Sequence, residues 1–280
     1  FPYTTLFRSK SNNNQKEYYL TDVIELASKD SDITTVITSN NYEILGINNK
    51  LQLEILERQY QSNLAAKLLL DGVTISDKMR IDIRGKLTVG MDTIIDIDCI
   101  FEGNVTIGNN VIIGPYCIIK DSVICDNVEI KAHSIIDSTN INENCKIGPF
   151  ARIRPNTILA KDVHIGNFVE IKQASIDKNS KVNHLSYIGD ASIGSNVNIG
   201  AVTVTCNYDG VKKNKTVIED NVFVGSGSML VAPLVIAKDS VIGAGSTITK
   251  NTKEGKLTIA RARQETIENW VSKKKKSKKG

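Results

Sequence analysis

The feature that most restricts this chain is an aliphatic residue that returns at every sixth position. Val89, Ile95, Phe101, Ile107, Ile113 and Ile119 keep that spacing; so do Ile141, Ile147, Ile153, Leu159, Ile165 and Ile171, and again Ile218, Val224, Leu230, Ile236, Ile242 and Ile248. Between these runs the phase slips to five, at Ile119 to Ile124, Ile136 to Ile141, Ile171 to Ile176 and Ile188 to Ile193. A helix repeats at 3.6 residues and a strand at 2, so a period of six is neither. It is the hexapeptide repeat of a parallel β-helix, in which each side of a triangular coil is a short strand and a turn with one aliphatic residue pointing inward. Three sides make a coil of about 18 residues, so residues 83 to 250 stack as about nine coils. Glycine after the inward residue, at Gly90, Gly108, Gly114, Gly148, Gly166, Gly194, Gly200, Gly225 and Gly243, is expected at corners that need a positive φ.

Such a ladder replaces the large aromatics of an ordinary core, and only 5% of the 280 residues are aromatic. The five cysteines, Cys99, Cys117, Cys125, Cys145 and Cys206, are odd in number and lack CxxC spacing. That suits small apolar packers in a reducing compartment, and the protein is expected to be cytoplasmic. No apolar run approaches the roughly 18 residues that span a membrane. The net charge of +4 is owed to the C-terminal stretch RARQETIENWVSKKKKSKKG; the rest is near neutral, which argues against a nucleic-acid-binding surface. The lysine tail reads as a solvated terminus.

Residues 1–10, FPYTTLFRSK, bear no relation to the remainder of the chain and read as a non-native leader. Residues 11–47 read as α/β, with Asp22 and Glu25 capping a helix through VIELASK and a strand at ITTVIT, residues 33–38. Residues 48–75 carry one long amphipathic helix that starts at Asn48 or Asn49, shows Leu53, Leu56, Tyr60, Leu64 and Leu68 on one face, and stops at Gly72. The β-helix then occupies 76–260, and 261–280 form a C-terminal segment.

The rhythm breaks once. Ile199 to Ile218 is 19 residues, one more than a coil, and VTVTCNYDGVKKNK puts polar residues where inward aliphatics belong. A loop leaving a rigid prism is a common base for a site. Asn207, Tyr208, Lys212, Lys213 and Lys215 suit an anion, with His184 and Tyr187 one coil earlier.

The segments NNQKEYYLTD, GINNKLQLEILERQYQ, GPFARIRP, HIGNFVEIK, NHLSYIGDASIGSNVNIGA, TCNYDG and VFVGSGSMLVAP occur in this order. Together they resemble the C-terminal part of the bacterial bifunctional glucosamine-1-phosphate N-acetyltransferase / N-acetylglucosamine-1-phosphate uridyltransferase family, over roughly residues 12 to 270. The resemblance implies a mainly β fold, a left-handed parallel β-helix that assembles as a homotrimer with sites between subunits. It implies acetyl transfer from acetyl-CoA to glucosamine 1-phosphate, in UDP-N-acetylglucosamine synthesis, and makes the broken coil an active-site loop. By the same resemblance His184 is the general base, Arg154, Lys172, Tyr187, Asn198, Glu170 and Lys213 bind the sugar phosphate, and Ala201, Asn207, Tyr208, Ser226, Ala244 and Arg261 bind acetyl-CoA. These residue types suit the chemistry. Histidine titrates near neutrality, arginine forks onto phosphate oxygens, and a backbone N–H at Ala201 can support the thioester oxygen. Val202 stands where the family commonly has glycine.

Asn48 matches the family's asparagine ligand to magnesium in the uridyltransferase domain, whose glycine-rich phosphate loop has no counterpart before the first glycine, Gly46. This chain is therefore expected to lack uridyltransferase activity, and its full-length parent to have it. Four other readings compete. They are a Cys206 acetyl-enzyme, a zinc site at His133, His164 and His184, a noncatalytic trimeric scaffold, and a related hexapeptide acetyltransferase acting on another amino sugar or alcohol, against which NFVEIK with TCNYDG argues. The combined presence of His184, Arg154, Lys172, Asn207 and Tyr208 favours the enzyme.

Overall fold

The computed structural model describes residues 11, 14, 16–19, 21–268 and 270; the leader and the lysine tail fall outside them. The chain divides into two compact units, residues 1–56 and 57–280.

In the first unit a short helix, α1 (Asp22–Ala27), follows Thr21, and no side chain caps it. Asp22 and Glu25 lie inside its first turn, where their charge complements the helix dipole instead of capping. ITTVIT forms no strand, and Val36 and Ile37 are more than 90% exposed. β-branched residues favour extended backbone but need a neighbour to pair with. No other strand is present among the described residues of this unit.

The long helix, α2 (Lys50–Leu70), begins where the Asn49 side chain accepts from Gln52 N–H at 2.9 Å, while the Gln52 amide oxygen accepts from Asn48 N–H at 2.7 Å. It ends at Gly72, whose φ of 91° lets Val73 N–H return to the Leu68 carbonyl at 3.0 Å. The apolar stripe is rotated from its expected position: Leu53 and Tyr60 are exposed, whereas Gln61, Ser62 and Ala65 are buried with Leu64 and Leu68 beside them. Gln61 explains the rotation. Its amide donates to the Ile83 carbonyl at 3.0 Å and accepts from Ile83 N–H at 2.8 Å, so one side chain satisfies the open edge of the first coil as a strand would.

From Thr74–Ile75 to Leu257–Thr258 the chain winds as a parallel β-helix. One side is an eleven-stranded parallel sheet, and the other two sides join in a fifteen-stranded sheet. On the first side Ile95, Ile113, Ile130, Ile147, Ile165, Val182, Ile199, Val224 and Ile242 form an unbroken inward ladder, none more than 2% exposed. Cys99 and Cys117 occupy a slot that Ser134 and Ala151 fill in the next two coils, which bears out their role as small packers. Burial pushes the Cys99, Cys117 and Cys145 thiols up, to about 12, 11 and 12.

The glycines after the inward residues serve a different purpose from the expected one. Of that set only Gly148 has a positive φ; the left-handed corner positions fall to Asn110, Asn127, Asn144, Asp162, Asn179, Asn196 and their like. Asparagine and aspartate tolerate that region through local hydrogen bonding. The glycines lie where successive coils approach too closely for a side chain: a Cβ on Gly166 would sit 1.9 Å from the Asn183 carbonyl oxygen, and one on Gly200 would sit 2.5 Å from Ser226 N.

The spacing at the broken coil also needs correction. Ile199 pairs with Val182 and Val224, whereas Ile218 pairs with Ile193 and Ile236, so the two lie on different sides and their separation does not measure a coil. On one side, Ile176 to Ile193 is 17 residues and Ile193 to Ile218 is 25. The excess is the excursion at 207–215. Just before it, Thr205 interrupts the ladder between Ile188 and Leu230, fully buried, with its hydroxyl taking Gly189 N–H at 2.7 Å.

Replacing Gly166 with Ala should lower stability by about 1–3 kcal/mol in denaturant titration, because overpacked sites must shift backbone. Gly46→Ala, with nothing within 4 Å of the added Cβ, should leave the transition in place.

Candidate active site

The expected site residues gather in two groups. The first is a column along one corner of the prism. Asn167 and His184 are register partners, His184 lies under Ala201, Ala201 under Ser226, and Ser226 under Ala244. Backbone bonds tie the column together: Val202 N–H to the His184 carbonyl at 3.1 Å, Gly227 N–H to the Ala201 carbonyl at 2.7 Å, and Gly245 N–H to the Ser226 carbonyl at 2.8 Å. The Arg261 side chain passes over Gly245 at its end. Six positions widely spread in sequence thus share one corner because each coil places them there.

Asn167 was not singled out from the sequence, although it lies one coil of 17 residues before His184. Its amide oxygen faces His184 Nδ1 at 2.6 Å. An oxygen there favours Nδ1 as the donor, which leaves Nε2 as the nitrogen available to a substrate, and the residue is exposed. Above it, the Ala201 N–H donates to no group of the described residues. Val202 adopts φ of 60°, a left-handed conformation costly for a β-branched residue and easy for glycine.

The second group occupies the adjoining side and the excursion. Arg154 pairs with Glu170 at 2.7 Å, both about a third exposed. Glu170 and Tyr187 are register partners, as are Lys172 and Gly189. Asn207 is buried; its amide donates to Asp190 and to the Tyr187 hydroxyl, the latter at 3.4 Å. Lys172 is driven below the ordinary lysine range, first by its contact with Lys213, then by desolvation and the Arg154 charge, against the pull of Asp190. Three cationic side chains therefore converge with only Glu170 and Asp190 to offset them. The excess of positive charge suits an anionic group such as a phosphate. Asp190 is the second residue of the candidate site that the sequence reading missed; its signal is its place 17 residues, one coil, before Asn207.

Tyr208 is exposed, its hydroxyl on the Gly210 carbonyl at 2.7 Å. Asn198 joins neither group: it pairs with Lys181 and Phe223 on the eleven-stranded side, away from Arg154 and Lys172. Asn48 stands exposed at the head of α2, and no three His, Cys, Asp or Glu side chains gather around a common point among the described residues. A single amide oxygen does not fit a magnesium site, which needs several oxygen ligands. His133 stacks between Tyr116 and Phe150, with centroids 4.9 and 4.7 Å away, and burial lowers the pKa of His164. Burial raises the Cys206 thiol, which works against a thiolate nucleophile.

Among family models, that of the GMPPB C-terminal domain matches residues 83–184 and 137–233. The chain is 52% identical over 271 residues to the "Bifunctional protein GlmU" of Ralstonia pickettii (strain 12J), covering 96% of this chain and 60% of that protein. It is 53% identical over 266 residues to the protein of the same name from Chromobacterium violaceum, covering 95% of this chain and 58% of that protein. The chain thus spans about 60% of the length of the relatives it matches. It also overlaps the solved UDP-N-acetylglucosamine acyltransferase from Campylobacter jejuni at 19% identity and a TM-score of 0.37, over 67% of this chain and 71% of that one; so partial an overlap carries no weight for the site.

Because the Lys213 charge lies against Lys172 and lowers its pKa, Lys213→Ala should raise the pKa of Lys172 toward the ordinary lysine value. NMR titration of isotope-labelled lysine side chains reads this directly.

Proposed function

Because the chain belongs to the GMPPB C-terminal domain family and is about half identical to bifunctional GlmU proteins, we propose that it moves an acetyl group from acetyl-CoA to the amine of glucosamine 1-phosphate. One observation carries the reading. An exposed histidine whose Nδ1 is held by Asn167 stands one coil below a backbone N–H at Ala201 that has no partner among the described residues. A base and an oxyanion donor on one corner, beside a cationic pocket, are the parts that acyl transfer to a charged amino sugar needs.

The steps follow from these positions. Arg154, Lys172 and Lys213 hold the phosphate, and Tyr187 and Glu170 face the sugar. His184 Nε2 takes a proton from the ammonium, freeing the nitrogen lone pair to attack the thioester carbonyl. A carbon–nitrogen bond forms as negative charge moves to the carbonyl oxygen, which the Ala201 N–H supports. Collapse breaks the carbon–sulfur bond; the attacking nitrogen gives up its second proton to the departing coenzyme A thiolate, leaving the neutral amide and the free thiol, and His184 releases the first proton to solvent. Ser226, Ala244 and Arg261 line the route of acetyl-CoA along the corner column, and Asn207 and Tyr208 serve it from the excursion.

The active unit in this reading is a homotrimer. Its support is twofold. Asn198 lies on another side from Arg154 and Lys172, so a site that uses all three takes them from two copies. Tyr116, His133, Phe150 and Phe168 stack at successive coils and continue into Leu185 and Val202, leaving a half-exposed apolar strip along the same corner. A cytoplasmic location fits the free buried thiols.

Thiol release from acetyl-CoA in the presence of glucosamine 1-phosphate tests the reading. His184→Ala should lower kcat by about 10²–10⁴-fold, the span of a positioned general base, while Cys206→Ala leaves it within about twofold. Release that ignores His184, or that needs Cys206, overturns it.

A further inference from the structure

The 207–215 excursion presents a physical problem. It carries Lys213 to a place beside Lys172 and near Arg154, where like charges repel, and Lys172 titrates low as a result. A solvent-exposed loop has little buried apolar surface with which to oppose that repulsion. Something within the loop must hold Lys213 before any anion arrives.

The loop is built around one carboxylate. Asp209 Oδ1 accepts from Val211 N–H at 2.9 Å and from Lys212 N–H at 2.8 Å, while Oδ2 accepts from the Asn214 amide at 2.8 Å. Its own N–H donates to the Lys212 carbonyl at 3.2 Å. These bonds fold the chain back at Gly210, φ 96°, so that Tyr208 and Lys213 meet as an antiparallel pair. At the base, Asn214 N–H donates to the Asn207 carbonyl at 2.7 Å, and Asn207 is itself fastened to the prism through Asp190 and Tyr187. The residues on either side of Lys213 are thus both tied to Asp209, Lys212 by its backbone and Asn214 by its side chain. The same bonds hold the Asp209 carboxyl down to about 2, so it stays ionised across any working pH.

We propose that Asp209 is a positioning residue for the sugar-phosphate grip: it gathers the 207–215 loop about its carboxylate and so holds Lys213 beside Lys172 against their mutual repulsion. The inference rests on the acetyltransferase reading and deepens it. Asp209 touches no reacting atom. It acts through Lys213, and the burden of its loss falls on anion binding. Asn207 keeps its place through contacts with the prism that do not involve Asp209.

The test compares the full chain with Asp209→Asn and with the double variant Asp209→Asn/Asn214→Asp. In the single variant the Asn214 amide turns its oxygen toward the new amide and the charge-assisted bond is reduced to a neutral one; in the double variant a carboxylate at 214 accepts from the amide at 209 and the charge-assisted bond is restored. Calorimetric titration with glucosamine 1-phosphate and steady-state kinetics are run on all three, with circular dichroism to establish that each keeps its β-helix. The single variant should weaken binding and raise KM for glucosamine 1-phosphate by about tenfold, the size of one lost charge-assisted bond, while KM for acetyl-CoA and kcat move less than about threefold. The double variant should recover most of the loss.

Unchanged binding in Asp209→Asn overturns the proposal. So does a fall in kcat and a rise in both KM values that the double variant does not reverse, since that is the behaviour of a merely structural residue. A parent chain that binds the sugar phosphate without transferring acetyl sinks the acetyltransfer reading alone, because the binding comparison still decides the role of Asp209. A parent that does neither sinks both.

Discussion

Everything in the β-helix depends on the contact between one coil and the next. Each inward aliphatic rests on its equivalent in the neighbouring coil at the spacing of adjacent strands, about 4.8 Å, and each coil edge is closed by the backbone of the next. Neither contact exists within a single coil, so no coil is stable alone. The stack must begin and end on something else, and Gln61 provides a beginning by bonding both Ile83 N–H and C=O from a helix. Close stacking also dictates which residues go where. Glycine is required at Gly166 or Gly200 by the nearness of the next coil, independent of the twist of its own backbone.

The same contact makes the site. A residue 17 or 18 positions away in sequence becomes a direct neighbour, which is how Asn167, His184 and Ala201 meet on one corner and how Arg154, Glu170 and Lys172 meet on one side. Secondary structure does little here; the arithmetic of the coil does almost all of the positioning. The prism is rigid because its interior is packed and its backbone bonds are satisfied, so the orientation of His184 is set by its coil and by one hydrogen bond to Asn167.

How much of this was readable in advance depends on the range of each interaction. The ladder was legible because its period repeats at every coil. The misplaced features are those whose cause lies outside the repeat. ITTVIT has strand-forming residues and no strand to pair with, and β propensity cannot supply one. The buried face of α2 follows Gln61, a polar residue that a hydrophobic stripe would place outward. The glycines suggested positive φ because that is glycine's commonest use, yet φ is a property of one residue and coil approach a property of two. Asn167 and Asp190 escaped notice although a count of one coil from His184 and from Asn207 leads to each. The length of the excursion was misjudged because Ile199 and Ile218 were compared across different sides of the prism.

The broken coil is best understood as a change in what holds the chain. Up to Cys206 the backbone is held by stacking, and from Thr216 it is held by stacking again. The last ladder place before the gap already lacks an aliphatic, Thr205 filling it with a hydroxyl bonded to Gly189, and the residues from Asn207 to Lys215 leave the prism. A segment without apolar burial has to be organised by polar groups, and a carboxylate with several N–H partners does this in few residues. Such a loop can carry charge that a packed wall cannot, because its lysines remain hydrated instead of being buried. A wall of the prism offers fixed geometry but few cations; the loop offers cations but little fixed geometry of its own. Setting Lys213 from the loop opposite Lys172 and Arg154 from the wall combines the two, and explains why a fold so regular departs from its period at this one coil.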